Sequence, residues 1–185
     1  AGFDLLVFTG LGEVARKYPH ETLRRAAGAA TRALAGNESV AYSLPAADIA
    51  SVKAIAEGAV LGSYSFETFK GRTKGDAKSP VTSVTIHSTF AKSPAAKLIK
   101  QRTQVMSEYS NLVRDLVNTP PSHLHPVSFA EIIKKAVAAA GGDKAALNIS
   151  ILNEKQLKTQ GFGGIIGVGQ GSVNPPRLVH ISYTP

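Results

Sequence analysis

The side chains able to do chemistry are few and scattered along the 185 residues. The densest cationic stretch is Lys70, Arg72, Lys74 and Lys78, opposed locally only by Asp76. Such a stretch attracts phosphate, which makes it a candidate nucleic-acid-binding surface; the plainer reading is a solvated loop, because Phe69 is its only interleaved aromatic residue for stacking. His123 and His125 lie two apart beside Ser122, with no nearby carboxylate or third ligand to complete a metal site, and read as surface or capping residues. His20, His87 and His180 have no serine or acidic partner in sequence, so a Ser-His-Asp arrangement would have to be assembled in space. Arg114 and Asp115 read as makers of structural ion pairs. Gly161 to Ser172, GFGGIIGVGQGS, lacks both the lysine of a phosphate loop and a dinucleotide-binding register. Its glycines are expected to serve close backbone approach and positive φ instead.

The elements that must hold these residues follow a strand and helix alternation. Phe3 to Phe8 has the length of a buried strand, closed by a turn at Thr9 to Gly12. Leu23, Ala26, Ala27, Ala30, Ala33 and Leu34 repeat at helical spacing, with Pro19 before them and Gly36 after. Ser39 to Leu44 predicts a strand, and from Pro45 the positions Ile49, Val52, Ala56, Ala59 and Val60 predict a helix. Strand followed by helix, twice, argues for parallel α/β layering. Ser63 to Pro80 reads as an exposed loop and Val81 to Ser88 as a strand.

Ser93 before Pro94 is a good helix start, and the helix it opens is expected to run to about Val117 with Leu98, Val105, Tyr109, Leu112 and Leu116 along one stripe. Pro120 and Pro121 stop it. Beyond them Phe129, Ile132, Ile133, Ala136, Val137 and Ala140 form a helical face, with Ser128 and Glu131 spaced as a capping box and Pro126 as a competing start. Leu147 to Leu152 and Arg177 to Tyr183 predict strands, and Asn153 is placed to cap a short helix ending at Gly161. The terminal LVHISY strand is expected to need a covering layer.

Composition narrows the rest. Lys and Arg exceed Asp and Glu by 21 to 13, but the excess is spread over both halves, so neither is a basic tail. The absence of cysteine excludes disulfides and thiolate metal sites. No apolar run is long enough for a membrane span, and no export signal is visible. With no initiator Met before an early apolar run, the chain is expected to begin inside a larger protein.

Three stretches together resemble the leucyl aminopeptidase family, also called cytosol aminopeptidases. They are Ala56 to Gly71, AEGAVLGSYSFETFKG; Val113 to Pro126, VRDLVNTPPSHLHP; and Gly161 to Tyr183, GFGGIIGVGQGSVNPPRLVHISY. The resemblance implies an α/β fold: an incomplete macro-domain-like N-terminal unit over residues 1–93, a linking helix over 94–119, and the first βα elements of a catalytic domain over 120–185. It implies a parent that is a metallo-aminopeptidase of the cytoplasm, a homo-hexamer releasing N-terminal residues, often leucine, from peptides. In that chemistry two divalent ions, manganese, zinc or magnesium, bind the free amine and scissile carbonyl and activate a bridging water. The junction departs from the family in placing His125, rather than threonine, before Pro126. The family's lysine and aspartate motif and its Asn-Thr-Asp-Ala-Glu-Gly-Arg stretch do not occur in this sequence. No catalytic or metal-ligating residue is therefore assigned, and these residues alone are expected to bind no metal and hydrolyse no peptide. Nucleic-acid binding and a structural or assembly role stand as the alternatives.

Overall fold

A computed structural model describes residues 4–72, 75 and 77–185. The chain folds as two compact units that divide between Asn118 and Thr119.

The first unit contains α1 (His20–Ala33), β1 (Ser39–Tyr42), α2 (Ile49–Gly62), β2 (Ser83–Ile86) and α3 (Pro94–Asn118). The helical repeat centred on Leu23 does form α1, and Leu23, Ala26, Ala27 and Ala30 are buried along it. Strands β1 and β2 pair in parallel, Val40 opposite Val84 and Tyr42 opposite Ile86, with α2 in the connection between them. Alternation along β1 sends Val40 and Tyr42 inward, to join Leu23, Ala27, Ile55 and Ala59 in one core. This is the expected parallel α/β layering.

Small residues set the distance between α1 and α2. A Cβ placed on Gly58 would lie 2.1 Å from the Arg24 carbonyl oxygen, and one on Gly62 would lie 2.5 Å from the Gly28 carbonyl oxygen. Backbone therefore packs on backbone, and only glycine fits at either position. Tyr42 carries a polar group into this core without leaving it unpaired. Its hydroxyl lies 2.6 Å from Thr31 Oγ1 and donates to the Ala27 carbonyl at 3.1 Å.

Two expectations fail in this unit. Residues 4–8 form no strand and Phe8 is 88% exposed, while Phe3 lies outside the described residues. An apolar run becomes a strand only where a neighbour completes its hydrogen-bond ladder, and β1 and β2 pair with each other instead. Helix α2 begins at Ile49 rather than near Pro45, because Asp48 takes the cap position and its carboxylate accepts the Ser51 N–H at 2.8 Å.

Helix α3 spans 25 residues, about 37 Å at ~1.5 Å per residue. It starts as expected, with Ser93 Oγ accepting the Ala96 N–H at 3.2 Å and Pro94 in the first turn. Thr103 is its only buried residue.

The second unit contains α4 (Pro126–Ala139), a 3₁₀ turn (Gly142–Ala145), β3 (Leu147–Leu152), α5 (Glu154–Thr159), α6 (Gly163–Gly169) and β4 (Leu178–Tyr183). Strands β3 and β4 are antiparallel, with Ile149 opposite Ile181. Helix α4 uses the Pro126 start, which moves Ser128 from cap to the third helical position. The Ser128–Glu131 capping box therefore does not form. Proline at the first position fixes a helical φ and lacks the donor that would otherwise go unpaired, and this decides the boundary. Asn153 caps α5 as expected, in a reciprocal exchange with Gln156 at 3.0 and 2.9 Å.

Candidate functional site

In the second unit the chain turns at Pro120, whose carbonyl accepts the His123 and Leu124 N–H groups, both at 2.9 Å. Ser128 Oγ then accepts the His125 N–H at 2.9 Å and lies 2.9 Å from the His123 carbonyl. This knot gives the two histidines different surroundings. His123 is exposed, its Nδ1 3.0 Å from Ser122 Oγ. His125 is half-buried in the cap position of α4, where its side chain faces the Ser128 backbone N–H in a loose capping box without a full hydrogen bond, and its Nδ1 is shut off from solvent. Arg177, at the head of β4, comes to the same place. An open groove of about 470 Å³ is lined by Leu124, His125, Pro126, Phe129, Arg177 and Val179.

The scattered histidines and the serine query resolve in the first unit. Asp48 Oδ1 accepts from both the N–H and the hydroxyl of Ser51, each at 2.8 Å, and lies 3.5 Å from His20 Nε2. Serine, aspartate and histidine do meet, but in the wrong order for nucleophilic catalysis. Both partners address the carboxylate, no imidazole stands next to the hydroxyl, and Ser51 is buried. Lys17 Nζ binds the other carboxylate oxygen at 2.8 Å. That hydrogen bond, followed by those from Ser51, holds the Asp48 carboxyl well below the usual carboxylate range. The cluster is a helix cap that ties the entry of α1 to the start of α2. His87, just past the end of β2, and His180, in β4 of the second unit, are exposed; the His87 backbone N–H extends the β1–β2 pairing to the Tyr42 carbonyl at 2.9 Å.

Arg114 and Asp115 fasten α3 to the end of α2. Arg114 Nη1 donates to the Leu61 carbonyl at 2.9 Å, and its guanidinium stands 5.1 Å from the Tyr64 ring centroid. The Tyr64 hydroxyl donates to Asp115 Oδ1 at 2.8 Å and accepts from Asn118 Nδ2 at 3.0 Å. Burial and the Asp115 carboxylate push the Tyr64 hydroxyl above its ordinary pKa, against the Asn118 amide. Both residues are structural as expected, but through a carbonyl, a ring and a tyrosine hydroxyl. Tyr64 is the hub that sequence reading missed, being one of three aromatics in a loop read as exposed.

Of the cationic stretch, Lys70, Arg72 and Lys78 are exposed and Lys74 lies outside the described residues. Lys70 Nζ is 4.0 Å from Glu67 Oε1, and Phe69 is 44% exposed with its ring centroid 5.9 Å from that of Phe66. Lys78 stands at the base of the loop, where its aliphatic stem covers Gly36. The glycine-rich stretch folds as the seven-residue α6, with φ +79° at Gly161 and with Gly169 packed directly on Pro176.

Among the described residues, no group of three or more His, Cys, Asp or Glu side chains is placed to hold a metal ion. No described helix is long and apolar enough to cross a membrane.

Residues 1–73 match the family described as "Cytosol aminopeptidase family, N-terminal domain", and residues 111–185 match "Cytosol aminopeptidase family, catalytic domain". Domain models of one family thus match on both sides of the chain, which belongs to the cytosol aminopeptidase family. It is 46% identical over 166 residues to "Probable cytosol aminopeptidase" of Streptomyces avermitilis, covering 89% of this chain and 31% of that protein. The protein of the same name from Streptomyces griseus is 42% identical over 194 residues, covering 97% and 37%. Among solved structures, the bottromycin maturation enzyme BotP in complex with Mn superposes with a TM-score of 0.76 at 30% identity, over 96% of this chain and 36% of that one. A mutant of tomato leucine aminopeptidase gives 0.72 at 27% identity, over 88% and 32%. The chain therefore spans about a third of the length of these curated relatives and solved structures.

Proposed function

We propose that the protein carrying these residues is a metal-dependent aminopeptidase that releases N-terminal amino acids, leucine among them, from peptides. The observation that carries this reading is the order of the two family matches on the fold. The N-terminal-domain match falls in the first unit, and the catalytic-domain match begins in the last turns of α3 and runs through the whole second unit. In finer detail we propose two divalent ions, manganese, zinc or magnesium, a homo-hexamer and a cytoplasmic location, with residues 1–93, 94–119 and 120–185 as N-terminal domain, linking helix and start of the catalytic domain. The manganese named with BotP supports the metal dependence. The donor set among the described residues does not fit such a centre, so the catalytic and metal-ligating residues are assigned outside them.

The test compares the intact protein with residues 1–185 alone. The intact protein is expected to hydrolyse a leucyl peptide only when divalent metal is supplied, and the 185-residue chain is expected to be inactive under all conditions. Activity of the intact protein that survives exhaustive chelation would remove the metal from the proposal; hydrolysis by the purified 185-residue chain would overturn the placement of the site.

A second reading is favoured by one observation, the exposed Phe69 beside the exposed Lys70 and Arg72. A stacking ring next to cations suits a single-stranded nucleic acid, and Lys74 and Lys78 add positive charge to the same stretch of sequence. Binding of an oligonucleotide that weakens steeply with salt, and less steeply after Lys70→Ala and Arg72→Ala, is expected on this reading. A salt-independent affinity would reject it.

A further inference from the structure

We propose that the groove between α4 and the head of β4 is a binding site for a carboxylate carried on an apolar group, with Arg177 as its donor. The C-terminal residue of a peptide has this chemistry. The inference does not depend on the aminopeptidase reading.

Arg177 is half-buried and has no carboxylate within ion-pairing distance among the described residues. Its one hydrogen bond runs from Nη1 to the carbonyl of its own neighbour Pro176, at 2.8 Å. A guanidinium has five N–H donors in a fork that matches a carboxylate, and removing it partly from water without an anion is costly. The uncommitted donors belong to a side chain that lines the groove. His125 lines it too, but its Nδ1 is cut off from solvent and faces the Ser128 N–H of the helix cap, so it serves as wall and leaves Arg177 as the donor. Polar chemistry at the groove is thus cationic, and no acidic side chain lines it.

The remaining walls are Leu124, Pro126, Phe129 and Val179. Phe129 is 40% exposed, an aromatic surface with room beside it. A fork at one side and an apolar wall at the other select for a ligand with both halves, not for a free inorganic anion. A volume of about 470 Å³ suffices for one amino-acid residue and its carboxylate.

The experiment uses the intact protein and two probes, N-acetyl-leucine and N-acetyl-leucinamide. Both lack a free amine and share the apolar side chain; only the first has the carboxylate. Titration followed by chemical shifts, or by calorimetry, is expected to give binding of the acid at least about ten-fold tighter than of the amide. Arg177→Leu is expected to reduce the acid to the affinity of the amide, and Arg177→Lys, which keeps the charge and loses the fork, to retain part of the difference. Equal affinities for acid and amide in the unaltered protein would overturn the proposal by making the groove merely apolar. No binding of either would overturn it as well. If Arg177→Leu fails to fold, the comparison of the two probes on the unaltered protein decides alone.

Discussion

Leu23 and Leu157 are both fully buried, yet they keep different company. Leu23 belongs to a cluster of ten buried hydrophobic residues drawn from α1, β1, α2 and the segments flanking them, with Val84 and Ile86 of β2 packed against it. Leu157 shares the second unit with only two other buried hydrophobics among the described residues, Ala130 and Val137, while Phe129, Phe162 and Ile181 stay substantially exposed. Both units leave apolar side chains exposed, among them Phe8, Val14 and Val117 in the first; what the first has and the second lacks is a large closed core, built around α1, β1 and α2. Stability is therefore concentrated in the core around α1, β1 and α2, and the second unit rests on a smaller buried set.

The largest effect that would break this contrast is at the glycine contact. Gly58→Ala adds a methyl 2.1 Å from the Arg24 carbonyl oxygen, which cannot move without moving α1. Better helix propensity returns about 1 kcal/mol, and forced separation of two packed backbones costs more, so a net loss above about 3 kcal/mol is expected in urea unfolding. An unchanged midpoint would show that α1 and α2 are not the rigid pair described here.

Next comes the paired truncation. Leu23→Ala is expected to cost about 3 to 5 kcal/mol and Leu157→Ala about 2 kcal/mol, since an open site can collapse around a lost side chain and a closed one cannot. Hydrogen exchange resolved by residue sharpens the test, because Leu23→Ala should raise exchange throughout α1, α2 and β1, and Leu157→Ala only in the second unit. Equal losses would erase the distinction between the units.

How much of this was legible depends on how far apart the interacting residues lie. Periodicity around Leu23 marks α1, alternation marks β1, and Asn153 marks the start of α5, because each is decided within one turn or one strand. Gly58 and Gly62 meet Arg24 and Gly28, which are about thirty residues earlier, and no local pattern announces that contact. The run before Thr9 has the composition of a strand, but a strand needs a neighbour, and composition does not supply one. Ser128 shows how one nearby proline overrides a good capping box. At the candidate sites the same rule holds. His125 was visible as a capping histidine and Arg177 only as the first residue of a strand; the groove exists because the antiparallel β3–β4 pair and α4 bring positions 125 and 177 together. Tyr64, Arg114 and Asp115 are likewise joined across some fifty residues.

A smaller effect tests the interior of the first unit. Tyr42→Phe keeps the buried ring and removes a hydroxyl that pairs with Thr31 Oγ1 and the Ala27 carbonyl. Thr31 still donates to Ala27 at 2.9 Å, so no strong group is stranded and a loss of about 1 kcal/mol is expected. Burial pushes the Tyr42 hydroxyl above its ordinary pKa, so spectroscopic titration should show a late-ionising tyrosine that Tyr42→Phe removes.

The smallest predicted effect concerns acid. Asp48 is held below the usual carboxylate range first by the Lys17 hydrogen bond and then by those of Ser51. A carboxyl with a lower pKa folded than unfolded binds fewer protons when folded. Its contribution is therefore fully present above the unfolded value, near 4, and is lost as pH falls below it towards the folded value. Asp48→Asn retains an oxygen able to cap α2 but no charge for Lys17, so its stability should vary less with pH in that window than that of the unaltered chain. Glu21, lowered by Arg25 and Arg24, titrates in the same range in both proteins and cancels in the comparison. The difference between the two proteins should shrink on acidification, the second unit should not respond, and identical pH profiles would mean that the bond from Lys17 contributes nothing to tying α1 to α2.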